Sequence, residues 1–211
     1  MIEQANAPTA VVFDLGGVLI DWDPRYLYRS ILPDEAAVDD FLREVGFGEW
    51  NLALDAGRDW DEAVEWLAER HPERRELIEA FRDRWEETLG DADRDVVAIA
   101  AELRAAGVRT FALSNWSART FEVARQRFPF LADFEGIVIS GDVGAIKPDA
   151  AIYRALLERF ELDPRMTVFI DDRRVNIEAA QQIGIGGIEF SNAADLRRRL
   201  RAAGLPLAPD R

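Results

Sequence analysis

The chain has 211 residues, of which 48% are hydrophobic, enough for one large core with a small insertion but too few for several independent domains. Its 26 Lys and Arg against 40 Asp and Glu give a net charge of −14, so we expect neither nucleic acid nor a membrane as a partner. No stretch approaches the roughly 20 apolar residues of a membrane helix. Residues 1–10 also lack a basic region followed by an apolar run. We therefore expect a cytoplasmic protein.

The rarest residue types limit the possible chemistry. Cysteine is absent, which excludes disulfides, thiolate metal sites and cysteine nucleophiles. The single histidine, His71, precedes Pro72 in a charged run, where a helix end on the surface is expected. Because His71 is expected at the surface, a Ser-His-Asp triad has little support. Because there is no second histidine, a multi-histidine zinc site is excluded. Lys147 is the only lysine among 26 cationic residues, and its compact ammonium can occupy sites that a planar guanidinium cannot.

In chain order, the first predicted element is a buried strand over 9–14, followed by a glycine turn through Ile20. From Pro24 to about Leu89 the apolar residues recur with helical spacing, and no strand-like run interrupts them. From Asp93 onward helices and strands alternate. The predicted helices are 96–106, 118–128, 150–160, 175–183 and 193–203. The predicted strands are 108–113, 136–140, 166–170 and 187–190.

Strands that alternate with helices of about ten residues indicate βαβ units. We therefore predict an α/β fold, a Rossmann-like doubly wound parallel sheet with helices on both faces and a helical insertion after the first strand. The core domain is expected over residues 1–21 and 90–211, and the inserted domain over residues 22–89.

Polar side chains follow the ends of four predicted strands: Asp14, Ser114 with Asn115, Lys147, and Asp171 with Asp172. Ligands of such sheets gather at the carboxyl ends of the strands, so we expect these groups to converge. Three carboxylates and one ammonium would carry a local charge of about −2 and repel one another. Mg²⁺ would relieve the repulsion, because it prefers oxygen ligands and commonly binds carboxylates together with a substrate phosphate.

In this arrangement Asp14 is a candidate nucleophile on phosphorus, forming an aspartyl-phosphate that water then hydrolyses. The hydroxyl of Ser114, the amide of Asn115 and nearby backbone N–H groups would donate hydrogen bonds to the phosphoryl oxygens. Lys147 would neutralise part of the negative charge. The expected substrate is a small phosphorylated molecule.

Four segments resemble, in order and spacing, the four motifs of the haloacid dehalogenase superfamily of hydrolases. They are 13–19, 113–115, 147–148 and 169–172. The resemblance runs from Val11 to about Ile188, and the helical insertion resembles the small four-helix cap that this superfamily places between its first two motifs. Within the superfamily, DLGGVLIDWD, KPDAAIY and IDDRRVNIEAA are most similar to bacterial sugar-phosphate phosphatases of the glucose-1-phosphatase type.

The resemblance implies a role for each matching residue. Asp14 corresponds to the nucleophile and to a magnesium ligand, and Gly16 to the position whose backbone carbonyl reaches the metal. The implied phosphate-binding residues are Ser114, Asn115 and Lys147. The fourth motif implies metal-site roles for Asp171 and Asp172, with Asp172 favoured for the direct contact.

One position departs from the superfamily pattern. Most phosphatases of the superfamily carry a second aspartate two residues after the nucleophile as the general acid and base, whereas this chain has Gly16. Because glycine cannot transfer a proton, Asp21, Asp23 or a water could substitute, or the leaving group needs little help. A sugar 1-phosphate, bonded at its anomeric carbon, would have a comparatively good leaving group.

Two alternatives to a phosphatase remain at this stage. A metal-independent 2-haloacid dehalogenase would use Asp14 as a nucleophile on carbon, and Lys147 with Tyr153 keeps the spacing of those enzymes. Dehalogenases, however, carry Ser and Asn type residues in place of the carboxylates at 171 and 172. A catalytically silent binding module is disfavoured by the intact Asp14, Lys147 and Asp172.

Other properties are open or carry weaker expectations. Trp22, Tyr26 and Trp50 could line a substrate pocket, although packing within the cap is favoured, and Tyr153 is expected to pack its helix on the sheet. The oligomeric state is open between monomer and homodimer.

Overall fold

The computed structural model describes residues 7–209. Seven β-strands are found there: Ala10–Phe13 (β1), Ile20–Trp22 (β2), Leu89–Ala92 (β3), Arg109–Ser114 (β4), Gly136–Ile139 (β5), Thr167–Asp171 (β6) and Gly186–Glu189 (β7). The same residues form eleven α-helices: Arg25–Arg29 (α1), Glu35–Glu44 (α2), Phe47–Asp55 (α3), Trp60–Arg70 (α4), Arg75–Asp83 (α5), Arg94–Ala105 (α6), Ala118–Arg127 (α7), Ser140–Val143 (α8), Ala150–Arg159 (α9), Arg174–Gln182 (α10) and Ala193–Ala202 (α11). The 3₁₀ turns are Pro72–Arg74, Trp85–Thr88, Pro129–Asp133 and Pro164–Met166.

Five strands form a parallel sheet in the order β5-β4-β1-β6-β7. All four residues of β1 are buried, because helices cover both faces of the sheet. Val11 and Phe13 pack in the hydrophobic cluster that also contains residues of α6, α11 and the inserted helices. Ala10 and Val12 pack on the opposite face with residues of α9 and α10. The predicted doubly wound α/β fold is confirmed.

The central position of β1 brings the candidate residues to one edge of the sheet. Phe13 lies beside Ala112 of β4 and beside Ile170 of β6. Asp14 therefore follows β1 at the level where β4 and β6 also end, and its backbone N–H donates to the carbonyl of Ile170 at 2.8 Å. β4 and β5 lie on one side of β1, and β6 and β7 lie on the other, so the strand order changes direction at β1. Ligands of open α/β sheets bind at such a switch point.

Helices α1 to α5 lie in the chain between two short strands, β2 and β3, and we call this helical segment the cap. β2 pairs antiparallel with β3, and Ile20 lies opposite Ala92. The sequence predicts a turn at Ile20 and no strand near Leu89, because Asp21 and Gly90 interrupt the apolar pattern. The pair forms because Gly90 has no side chain where Asp21 approaches, and a Cβ there would overlap the Asp21 carboxylate.

Aromatic side chains of the cap pack against one another within the larger hydrophobic cluster. Neighbouring rings in this aromatic group have centroids 4.7–6.3 Å apart. Its members are Tyr28, Phe41, Phe47, Trp50, Trp60 and Phe81. The indole N–H of Trp50 donates to the carbonyl of Ala63 at 3.0 Å, so this tryptophan packs inside the cap as expected. Asp34 and Asp59 are the N-cap residues of α2 and α4, and the side chain of each accepts a backbone N–H group from the first turn of its helix.

Across residues 7–209, none of the helices combines the length and the apolar character needed to cross a membrane.

Candidate active site

Asp14 lies at the floor of the site with one carboxylate oxygen held by three donors. Its Oδ1 accepts the backbone N–H of Leu15 at 2.7 Å and the hydroxyl of Ser114 at 2.8 Å. The ammonium of Lys147 lies 2.8 Å from the same oxygen. Asp14 is only 6% exposed, so these contacts fix the carboxylate in one orientation.

Lys147 is buried and its Nζ atom contacts three oxygens. It lies 2.8 Å from Asp14 Oδ1, 2.8 Å from Asp171 Oδ2 and 3.1 Å from the carbonyl of Leu113. Burial alone would lower the pKa of this ammonium, but the two carboxylates outweigh that effect and raise it. The raised pKa favours a protonated Lys147 at neutral pH.

The two aspartates at the end of β6 have different surroundings. Asp171 is fully buried, and its carboxylate accepts the N–H of Arg173 at 2.8 Å and the amide of Asn176 at 2.9 and 3.0 Å. Together with the Lys147 contact, these bonds engage both of its oxygens. Asp172 is exposed and lines the cavity above Asp14.

Carboxylate oxygens of Asp14, Asp171 and Asp172 lie within 4.8 Å of one another. Burial raises the pKa of Asp14 to about 7, against the opposing charge of Lys147, and the charge of Asp171 raises it further. Burial and the charge of Asp171 also raise the pKa of Asp172. Three carboxylates thus share one ammonium, that of Lys147, and would carry excess negative charge when ionised. A set of hard oxygen donors with excess negative charge fits a divalent cation such as Mg²⁺.

Asn115 is positioned next to Lys147 and holds its backbone. Its side-chain amide donates to the carbonyl of Lys147 at 3.0 Å, and its carbonyl oxygen accepts the N–H of the same residue at 2.7 Å. The side chain of this sequence-predicted phosphate ligand thus fixes the segment that carries the ammonium. Asn115 also lines the cavity, together with Ser114.

The glycines after Asp14 make room for the site. Gly17 has φ = +77°, and a Cβ built on it would lie 2.8 Å from Asp172 Oδ2. A side chain at Gly17 would therefore push Asp172 away. Gly16 lines the cavity, and a Cβ there would meet no atom within 4 Å.

A cavity of about 640 Å³ lies over these residues, between the core and the cap. Its apolar wall includes Trp22, Phe47, Leu52, Trp85 and Trp116. Its polar groups on the cap side are Arg25, Glu49, Asn51 and Asp55. The cap thus supplies most of the surface that a substrate would contact beyond its reacting group.

Neither carboxylate suggested by the sequence as a substitute acid lines this cavity among the described residues. Asp21 accepts the hydroxyl of Tyr26 at 2.5 Å, and Asp23 accepts the backbone N–H of Arg25 at 2.9 Å. Both aspartates are thus engaged near the junction of cap and core.

Sequence reasoning missed two polar residues of the site. Asn176 follows Asp171 by five residues, and its side-chain amide donates to the Asp171 carboxylate. In the sequence, Asn176 looks like an ordinary helical position. Asp55 at the end of α3 lines the cavity from the cap. No spacing rule connects Asp55 to the core motifs, because its position depends on how the cap packs.

Comparison with known proteins identifies the family. A sequence profile of the haloacid dehalogenase-like hydrolases matches residues 8–184. The chain is 26% identical over 195 residues to a sesquiterpene phosphatase of Aspergillus oryzae, across 91% of this chain and 94% of that protein. It is 27% identical over 185 residues to a phosphorylated carbohydrates phosphatase of Thermotoga maritima, across 83% and 82% of the two chains.

The fold is shared with solved structures of the same family. A HAD family enzyme from Bacteroides thetaiotaomicron, solved as a magnesium complex, superposes with a TM-score of 0.68 at 22% identity, covering 93% of this chain and 100% of that one. The protein therefore belongs to the haloacid dehalogenase-like hydrolases. It is a hydrolase with phosphatase relatives, as the four motifs predict.

Proposed function

We propose that this protein is a magnesium-dependent phosphomonoester hydrolase that acts on a small phosphorylated metabolite through an aspartyl-phosphate on Asp14. One observation carries the proposal: Asp14, Lys147 and two further carboxylates converge on the floor of a cavity that the cap covers.

The bonds around Asp14 suit it to nucleophilic attack. Three donors hold Oδ1 and orient the carboxylate, which leaves Oδ2 to attack the phosphorus of a bound ester. Lys147 offsets part of the charge between the carboxylate and the anionic phosphate. We assign the phosphate to the backbone N–H of Asn115, whose side chain is engaged with Lys147, and to Ser114 and Lys147. The Ser114 hydroxyl and one N–H of Lys147, which now contact Asp14 Oδ1, would turn to the phosphoryl oxygens of a bound ester.

The metal ligands that we propose combine the carboxylate cluster with the roles that the family resemblance implies. We place Asp14, the carbonyl of Gly16 and the exposed Asp172 in contact with Mg²⁺, which when bound would withdraw charge from the phosphoryl oxygens. We do not assign Asp171 as a direct metal ligand, because Lys147, Asn176 and the N–H of Arg173 already bind its oxygens. Its role would be to hold Lys147 in place.

The dehalogenase alternative fits these contacts less well. A metal-free site would leave three carboxylates beside an anionic substrate with only one ammonium to neutralise them. The tyrosine spaced as in dehalogenases, Tyr153, is buried beneath the sheet, where its hydroxyl donates to the carbonyl of Asn176 at 2.9 Å.

Sugar phosphates are the first substrate class that we propose. Arg25, Glu49 and Asn51 line the cavity and could hydrogen-bond to sugar hydroxyls. The Thermotoga relative, named a phosphorylated carbohydrates phosphatase, supports this class.

The aromatic wall favours a second class, phosphomonoesters of apolar alcohols. Trp22, Phe47 and Trp85 form part of the cavity wall and could contact a prenyl or aryl group. The Aspergillus relative, named a sesquiterpene phosphatase, supports this class.

The test measures phosphate release from 4-nitrophenyl phosphate, a sugar 1-phosphate and a prenyl phosphate, with Mg²⁺ and with excess EDTA. Halide release from 2-chloropropionate is followed in parallel. We expect phosphate release that requires Mg²⁺, and the ratio of kcat/KM between the sugar and prenyl esters decides the substrate class. Halide release that is insensitive to EDTA would overturn the proposal.

Asp14→Asn tests the covalent step. The variant should fold normally and lose turnover, because an amide cannot form the acyl phosphate. Asp61→Asn is the matched control, since it removes a carboxylate from the exposed surface of the cap, near Arg82 and Arg119. Retained activity in Asp14→Asn would exclude the aspartyl-phosphate.

A further inference from the structure

The site described so far has a nucleophile but no residue assigned to protonate the leaving alkoxide. Gly16 occupies the position where most phosphatases of this superfamily carry the acid, and the space around it is open. We propose that Asp55, carried by the cap, is the general acid and base of this active site. This inference rests on the proposed phosphatase function and names a catalytic residue for it.

Contacts with the core fix Asp55 over the cavity. It is the last residue of α3, and its backbone carbonyl accepts the hydroxyl of Ser140 at 2.5 Å. Next to this contact, the indole N–H of Trp60 donates to the hydroxyl of Ser117 at 2.7 Å. These two bonds join the cap to residues that follow β4 and β5, so the end of α3 is positioned relative to Asp14.

The Asp55 carboxyl group itself is held from two sides. Its Oδ2 accepts the side-chain amide of Asn51 at 3.0 Å, one helical turn earlier. The backbone N–H of Ser117 also hydrogen-bonds to the carboxylate. The group is half-buried and lines the cavity, so it is fixed in direction and remains accessible to a bound substrate.

The pKa of Asp55 suits proton transfer near neutral pH. Burial raises the pKa of this carboxyl to about 7, against the opposing hydrogen bond from Ser117. The charged side chains that act on it are Asp14, which raises the pKa, and Lys147, which lowers it. A group whose pKa lies near the working pH can donate a proton in one step and accept one in the next.

Both half-reactions balance with Asp55 in this role. In the first, Asp14 forms a bond to phosphorus, the P–O ester bond breaks, and the Asp55 carboxyl gives its proton to the leaving alkoxide. In the second, the Asp55 carboxylate takes a proton from water while the water oxygen bonds to phosphorus and the Asp14–phosphorus linkage breaks. Alcohol and phosphate leave, and Asp55 has its proton again.

The test compares Asp55→Asn with the wild type on two esters, an alkyl phosphate and 4-nitrophenyl phosphate. Asparagine keeps the size and the acceptor oxygen of aspartate, so the fold should be retained. We expect kcat/KM to fall about 100-fold for the alkyl ester and by less than about tenfold for the nitrophenyl ester, whose leaving group needs no proton. Asp61→Asn serves again as the control for charge loss in the cap.

A second readout separates proton transfer from positioning. Without a base for the second half-reaction, Asp55→Asn should release one equivalent of nitrophenolate in a burst and then turn over slowly, so kcat falls while kcat/KM for this ester is nearly unchanged. Equal losses of kcat/KM for both esters without a burst, or no loss for either, would overturn the proposal.

The wild-type pH profile gives a test that needs no variant. Asp55 must be protonated in the first half-reaction, so the ratio of kcat/KM for the alkyl ester to that for the nitrophenyl ester should fall as pH rises through about 7. A ratio that does not change with pH would contradict the proposal. If wild type shows no magnesium-dependent phosphate release at all, the proposed function fails instead, so the two failures are distinguishable.

Discussion

At the residue scale, Lys147 shows how one compact cation organises the site. Three oxygen acceptors, from Asp14, Asp171 and Leu113, surround its Nζ atom at 2.8–3.1 Å. An ammonium has three donors to match them. The side chain is 1% exposed, so little space remains for a larger head group.

We expect Lys147→Arg to lower kcat/KM by at least about 100-fold despite keeping the charge. The planar guanidinium is larger and cannot direct three donors to the same point, and a 100-fold loss corresponds to about 2.7 kcal/mol of transition-state stabilisation. Steady-state kinetics with a phosphate ester measure the effect. Arg165→Lys, an exchange of cations on the exposed surface beside Asp163, is the control. Near-normal rates in Lys147→Arg would mean that the charge alone suffices.

At the scale of elements, the turn between β1 and β2 connects backbone conformation to the metal site. Gly17 combines a positive φ of +77° with a close approach to Asp172. Any side chain there would incur backbone strain and also displace the exposed carboxylate that we assign to Mg²⁺.

Gly17→Ala should therefore displace one proposed ligand and weaken Mg²⁺ binding by at least about tenfold, which corresponds to about 1.4 kcal/mol. Isothermal titration calorimetry with Mg²⁺ measures this. Gly107→Ala is a matched control, since Gly107 has φ = +82° and its Cβ would meet no atom within 4 Å. Both variants should lose about 1–2 kcal/mol of unfolding free energy. Equal Mg²⁺ affinities in the two would contradict the assignment of Asp172.

The sequence predicts the elements of the core better than those of the cap junction. β1, β4 and β6 are buried on both faces and are therefore nearly continuous apolar runs, which places Asp14, Ser114 and Asp171 at their ends. The strands β2 and β3 have only three and four residues, and they pair with each other and not with the main sheet. Their residues carry no strand pattern that could be recognised in the sequence.

The same distinction applies to the candidate site. Parallel strands must end at one edge, so residues at their ends converge by topology alone. Asp55 reaches the cavity only through contacts of the cap with Ser117 and Ser140, which lie far from it in sequence. Packing of this kind leaves no local signal.

At the scale of the whole molecule, the excess of acidic residues affects how a substrate arrives. The protein carries a net charge of −14, and the substrate that we propose is an anionic phosphate ester. Long-range repulsion slows the encounter, whereas Lys147 and a bound cation act only at short range.

We expect kcat/KM for a phosphate ester to increase severalfold between about 0.01 and 0.15 M ionic strength at constant free Mg²⁺, as the Debye length shrinks from about 30 to 8 Å. The value of kcat at saturating substrate should change much less, because the repulsion acts on encounter. A decrease of kcat/KM with salt would indicate that the positive potential of the cavity outweighs the net charge.

The pairing of β2 with β3 has a consequence for how this enzyme could evolve. Because Ile20 and Ala92 are paired, the chain leaves the core and returns to it at one place. The whole cap therefore occupies the position of the loop in a β-hairpin. Exchanging that loop for another would alter the walls and the proposed acid but leave the nucleophile, the lysine and the fourth-motif aspartates in place. The residues proposed to bind phosphate and metal are thus encoded on stretches of the gene separate from those that line the pocket and supply the proposed acid.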